Sequence, residues 1–298
     1  MASISPDADS NGQFSCDKYS SRYSWLYETK TILNTERANK IRRVCSGTHL
    51  NATTDNDIYQ KVKQEHLLLM HFERKLMELC QRMRVHETVE ATAMIFFKRF
   101  YLVEHSVFEQ KYNPIVVCAT CLLLAGKTEE QRDLGAVRIC EQVGLINHIR
   151  EVIKMELVVL KALKFQLRLY HPFAPARHLL RMFRTLIDPG DYDSFCGDVE
   201  RILRLSYLTE SPFLFTPGQI ALASLELACT HESTQWAHKY ASVFREKFLK
   251  NINFEDQRLR RVVEEVMSQL VATKETKPPS KAVVMNLCSS IGIYLPNV

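Results

Sequence analysis

Gly126, Lys127 and Thr128, inside the stretch "CLLLAGKTEE", come closest in this chain to a chemical motif. A GKT triplet closes a phosphate-binding loop when a glycine stands five places before its own, because backbone N–H groups must curl around the phosphates. That place holds Cys121, and apolar helix formers fill the interval. The spacing excludes a phosphate loop and leaves Lys127 to be explained. Cys118 and Cys121 form a CxxC, but no second CxxC completes a zinc site, so the pair reads as small core residues on one helix face. The ten histidines are dispersed. No Ser/His/Asp arrangement sits in a recognisable elbow, so hydrolase chemistry is poorly supported.

These residues must be held by a scaffold, and the composition says which kind. The chain has 298 residues, 46% of them hydrophobic and 24% charged, enough for one large domain or two of ordinary size. Nine glycines and ten prolines, the prolines mostly between apolar runs, favour helices. A net charge of +5 permits an acidic partner but falls short of the basic face of a dedicated nucleic-acid binder. The longest apolar run, Ile115 to Gly126, is too short for a bilayer, which takes ~20 residues. The first residues lack the apolar core of a signal peptide. The nine cysteines are expected to be reduced thiols.

Residues 1–20 are polar and expected to be disordered. An amphipathic stretch follows over 21–52, with Trp25, Tyr27, Ile32 and Leu33 as its apolar contacts. Ile58, Val62, Leu69, Phe72, Leu76, Leu79 and Met83 then recur at helical steps and form one stripe. Further helices are expected from Glu87 to Leu102, from Pro114, over Ala136 to Val143, and over Asn147 to Leu163. Helical periodicity resumes after Pro172 and Pro175 and continues to about Val271, and strand signals are absent. The fold class is all-α.

The segments "NPIVVCATCLLLAGK" and "TPGQIALASLELACT" lie about 103 residues apart and repeat one pattern. Each opens on a proline, Pro114 or Pro217, suited to a first helical turn. Small residues follow at matching offsets: Cys118, Cys121 and Ala125 in one, Ala221, Ser224 and Ala228 in the other. They share a helix face, so each copy reads as the central helix of a bundle. Two similar five-helix domains in tandem are expected.

With "FFKRFYL", "CLLLAGKTEE" and "MELVVLKALKFQL" in this order and spacing, the chain resembles the cyclin family. "KRFYLVEHSVFE", "YLTESPFLFTPGQIAL" and "KPPSKAVV" are most similar to the H-type branch. The resemblance implies two tandem five-helix cyclin boxes, at 53–168 and 169–274, flanked by the N-terminal segment and by a C-terminal segment with a short helix at 275–298. Many cell-cycle cyclins carry Asp-Arg-Phe where this chain has Lys98-Arg99-Phe100. Their buried Arg–Asp pair is therefore not carried over.

On the fifth helix, Glu156 falls within the stripe Ile149, Val152, Leu160 and Leu163, a costly place for an unpaired carboxylate. Either the helix rolls to put it at the rim, or it is paired. The resemblance implies that Glu156 pairs with Lys127, facing a partner kinase, and that Leu124, Leu160, Phe165 and Leu167 line a groove for the kinase's movable C helix. It further implies a non-catalytic activator of a cyclin-dependent kinase of the CDK-activating type. A RING-finger assembly factor and TFIIH complete the expected context, in the nucleus. No cofactor, metal, membrane or direct nucleic-acid contact is expected. The alternatives are a cyclin C-like Mediator kinase subunit and a TFIIB-like factor. The latter usually carries an N-terminal zinc ribbon, and only Cys16 and Cys45 precede the first box.

Overall fold

The computed structural model describes residues 25–47, 54–231, 234–251, 257–275 and 279–293. The tail expected at 1–20 lies outside these residues. Among the described residues the secondary structure is helical, without a strand. Helix α1 (Lys30–Gly47) precedes a first set of five: α2 (Asp55–Met83), α3 (Glu87–Leu102), α4 (Pro114–Thr128), α5 (Ala136–Gln142) and α6 (Ile149–Ala162). The second set comprises α7 (Phe173–Phe183), α8 (Tyr192–Ser206), α10 (Pro217–Thr230), α11 (Ala237–Val243) and α13 (Gln257–Glu275). The short α9 (Ser211–Leu214) precedes α10, a π turn (Phe244–Phe248) and α12 (Leu249–Asn251) extend α11, and α14 (Lys281–Ile291) follows the second set. The Pro114 repeat is therefore a pair of central helices: α4 packs on α3 and α6, and α10 packs on α7, α8, α11 and α13.

Local chemistry sets these boundaries. Thr54 and Thr216 each form a capping box, with Asp57 and Gln219, which satisfies orphan N–H groups at the starts of α2 and α10. Asn113 caps α4 ahead of Pro114, whose missing N–H costs nothing in the first turn. The small-residue faces are fully packed: Cys121, Ala125, Ala221, Ser224 and Ala228 have no exposed surface, and Cys118 is buried. Burial pushes the Cys118 and Cys121 thiols up, so they stay protonated and inert.

Sequence periodicity misplaces two faces. In α1 the inward residues are Leu33, Lys40, Ile41 and Val44, which leaves Ile32 exposed rather than in contact. In α6 the buried line runs through Val152, Met155 and Val159, so the helix is rolled relative to the expected stripe and Glu156 sits at its rim.

The two sets differ in how their interiors are held. In the first, Lys98 donates to Glu73 over 2.8 Å with both side chains under a tenth exposed, so the lysine that departs from the cell-cycle pattern has its own buried acid. Lys40 of α1 reaches Glu65 and the Tyr101 carbonyl, and the Ser106 hydroxyl donates to Glu65. In the second, Phe183, Phe195, Tyr240, Phe244 and Phe248 form an aromatic cluster. Arg204–Glu90 (2.8 Å) and Arg177–Glu87 (2.5 Å) join the sets. So does the segment before α1. Its Tyr27 N–H donates to the Phe213 carbonyl, and its Trp25 indole donates to Gln166.

Candidate functional site, a docking surface on the first helix set

Lys127 occupies the last turn of α4, where a cation also meets the negative end of the helix. Its glycine neighbour has a packing reason. A Cβ on Gly126 would come 2.8 Å from Leu134 Cδ2 and 3.2 Å from its Cβ, so a side chain there would push the buried Leu134 aside. The GKT triplet is thus helix throughout, with Gly126 as a seat for Leu134.

Helix α6 packs on α4, where the Thr120 hydroxyl is shared between the Val116 carbonyl of its own helix at 2.8 Å and the Val152 carbonyl of α6 at 3.1 Å. This register brings Lys127 Nζ to 2.5 Å from Glu156 Oε1. The lysine side chain is 55% exposed and the glutamate 17%, so the pair lies at the surface with the acid partly sunk. Both readings of Glu156 hold together, since it stands at the rim of the helix and is paired.

Around the pair the surface is apolar. Ile153 and Leu157 are 50% and 53% exposed, and with Glu156 and the half-buried Leu160 they occupy one outer face of α6. The helix then ends in a Schellman motif: Phe165 N–H bonds the Leu160 carbonyl and Lys164 N–H the Lys161 carbonyl. The left-handed position belongs to glycine in most such caps but is Lys164 here, at φ +52°, and Phe165 follows at φ +56°. Two strained residues in a row cost ~1–3 kcal/mol each. Their effect is to turn Phe165 outward, 63% exposed, beside Leu160. Leu167 is half-buried next to it, and its N–H bonds the Phe165 carbonyl.

Five of the six expected residues thus gather on one surface: Lys127, Glu156, Leu160, Phe165 and Leu167. Leu124 is 4% exposed and lies beneath it as packing. Sequence reasoning missed Ile153 and Leu157. The available signal was that α6 carries two apolar lines, one through Val152, Met155 and Val159, the other through Ile153, Leu157 and Leu160, and only one can face its own core. Exposed Val137 and Ile146 lie on the neighbouring α5 and on the turn before α6. Among the described residues no group of His, Cys, Asp and Glu could hold a metal ion, and no helix is long and apolar enough to cross a membrane.

Residues 43–168, which hold this surface, match the family described as Cyclin, N-terminal domain. The chain is 31% identical over 172 residues to cyclin-H1-1 of Arabidopsis thaliana, covering 55% of this chain and 49% of that protein. It is 26% identical over 217 residues to a putative cyclin-H of Dictyostelium discoideum, covering 66% and 71%. The chain thus spans about half the length of the plant relative. Its fold is similar to that of a chain in the yeast TFIIK complex (TM-score 0.64, 22% identity, 83% of this chain and 96% of that one). It is also similar to a chain in the CAK complex of Chaetomium thermophilum bound to ATP-gamma-S (TM-score 0.71, 20% identity, 91% and 85%). The motifs and these matches agree on the first helix set: residues 43–168 match the cyclin N-terminal domain, within a helical fold similar to those solved chains.

Proposed function

We propose that this chain is a regulatory subunit that binds and activates a cyclin-dependent kinase of the CDK-activating type, through a first cyclin box at 53–168 followed by a second at 169–274. The observation that carries the reading is the Lys127–Glu156 pair set among exposed Ile153, Leu157 and Phe165. Apolar side chains left in water around a fixed ion pair suit a helix-in-groove partner, which gains affinity from the apolar area and register from the charges. Docking there would hold the kinase's C helix inward. That completes its Lys–Glu ion pair and favours an ordered activation segment, both needed for phosphoryl transfer. ATP, magnesium and the chemistry belong to the kinase, and this chain contributes no catalytic residue. The reading extends to substrates among other cyclin-dependent kinases and the RNA polymerase II tail, to a RING-finger assembly factor and TFIIH as further partners, and to a nuclear location, in keeping with the cyclin-H names of its relatives and the TFIIK and CAK complexes among its structural neighbours.

The test is reconstitution. The purified chain should raise the activity of a CDK-activating kinase subunit toward an activation-segment substrate, and Leu157→Asp should abolish the stimulation while the helical spectrum is retained. ATP turnover by the chain alone, lost in Lys127→Ala, would contradict the reading.

A further inference from the structure

One cation at the meeting of the two helix sets is buried without an acid. Arg99 of α3 is 7% exposed, and among the described residues no carboxylate pairs with it. By contrast, the buried Lys40 and Lys98 each meet a glutamate. Arg99 lies 4.9 Å from the centre of the Trp25 ring, and its Nη1 donates to the Gln166 carbonyl at 3.4 Å. Its Nε–H has no hydrogen-bond partner among the described residues. A ring face and a carbonyl replace only part of the hydration that a guanidinium loses on burial. Burial lowers its pKa to about 10, so it remains charged at neutral pH.

Arg99 also lines a cavity of about 60 Å³. A water-sized group needs roughly 10–15 Å³ on this measure, so a carboxylate or phosphate group fits. The walls come from both sets: Ile95 and Arg99 from α3, Tyr207 next to α8, Ile220 from α10, and the linker between the sets. Among the described residues no acid lines it, and the linker supplies a second cation, exposed Arg168, which stacks over Tyr170.

We propose that this cavity binds an oxyanion group, a carboxylate or a phosphate, with Arg99 as the buried anchor and Arg168 as the outer clamp. An occupant would give Arg99 its missing acid and tie the two helix sets together. Because Arg99 also holds the Gln166 carbonyl, it would stiffen the segment that presents Phe165. The proposal does not depend on the kinase reading and is tested on the chain alone.

The full chain is titrated with sodium phosphate, sodium acetate and sodium chloride at matched ionic strength, following tryptophan fluorescence and thermal melting. Trp25, one of two tryptophans, reports directly from its place over Arg99. Phosphate or acetate should give a saturable response that chloride does not, and whichever acts identifies the group. Arg168→Ala, a surface change, should weaken the apparent Kd at least tenfold with the fold intact, and Arg99→Gln should abolish the response. Equal responses to all three salts, or an unchanged affinity in Arg168→Ala, would overturn the proposal.

Discussion

Helices α4 and α10 share a plan, with a proline in the first turn and buried small residues at matching offsets, yet they end differently. Thirteen residues after its proline, α4 has Lys127, which reaches across to Glu156. At the same place α10 has Thr230, whose hydroxyl folds back onto the Glu226 carbonyl of its own helix. The surroundings diverge in the same way. Exposed Val137, Ile146, Ile153, Leu157 and Phe165 all belong to the first set, whereas in the second set Met182 is the large apolar residue exposed among those described. One scaffold is used twice, and the ion pair with its exposed apolar residues is on the first copy. The small-residue face is a requirement of the fold, and the last turn is free to vary with function.

The comparison can be broken hardest through the interiors. Lys98→Met leaves Glu73 buried without a partner and should cost about 3–5 kcal/mol in denaturant unfolding, while Glu73→Leu with Lys98→Met should recover most of it. Phe244→Ala in the aromatic core of the second set should also cost about 3–5 kcal/mol, with no second change to rescue it. Next come the central helices. Ala125→Leu and Ala228→Leu should each overpack a filled core and lose about 1–3 kcal/mol by thermal melting. Stability unchanged in one alone would show that the two helices are not equivalent.

A pH effect follows at the junction of the sets, where His171 lies between the Thr92 and Tyr207 hydroxyls, 2.8 Å from each. Burial, aided by nearby Arg99, lowers its pKa from 6.5 to about 4. The folded chain therefore holds it neutral while the unfolded chain takes a proton, so this stability is complete above pH 6.5 and is lost as pH falls toward 4. His171→Gln should flatten that part of the melting profile. The smallest effect is on folding at the helix ends: Lys127→Ala and Thr230→Ala should each change stability by no more than about 1 kcal/mol, since an ion pair this exposed contributes little.

Much of this was legible in local pattern. The range of α3, the start of α4 and the paired central helices follow from caps, prolines and periodicity, which act within a few residues. What local pattern does not carry is pairing over distance. The Glu73 partner of Lys98 and the Gln166 partner of Trp25 lie 25 and 141 residues away. The roll of α6 was also hidden, because a helix with two apolar lines gives two answers to a periodicity argument. Phe165 could be singled out by resemblance, but its outward turn depends on two left-handed residues that are not glycine, which no propensity favours.

The central claim is that Lys127 and Glu156 act as one unit in gripping a kinase helix, and a double-mutant cycle on binding tests it most directly. Affinity for a CDK-activating kinase subunit is measured for the wild type, Lys127→Ala, Glu156→Ala and the double variant, with melting temperatures in parallel. Each single change should cost about 2–5 kcal/mol of binding, and the double should cost little more than either. Melting should stay close to that of the wild type throughout. Wild-type affinity in the double variant would contradict the account.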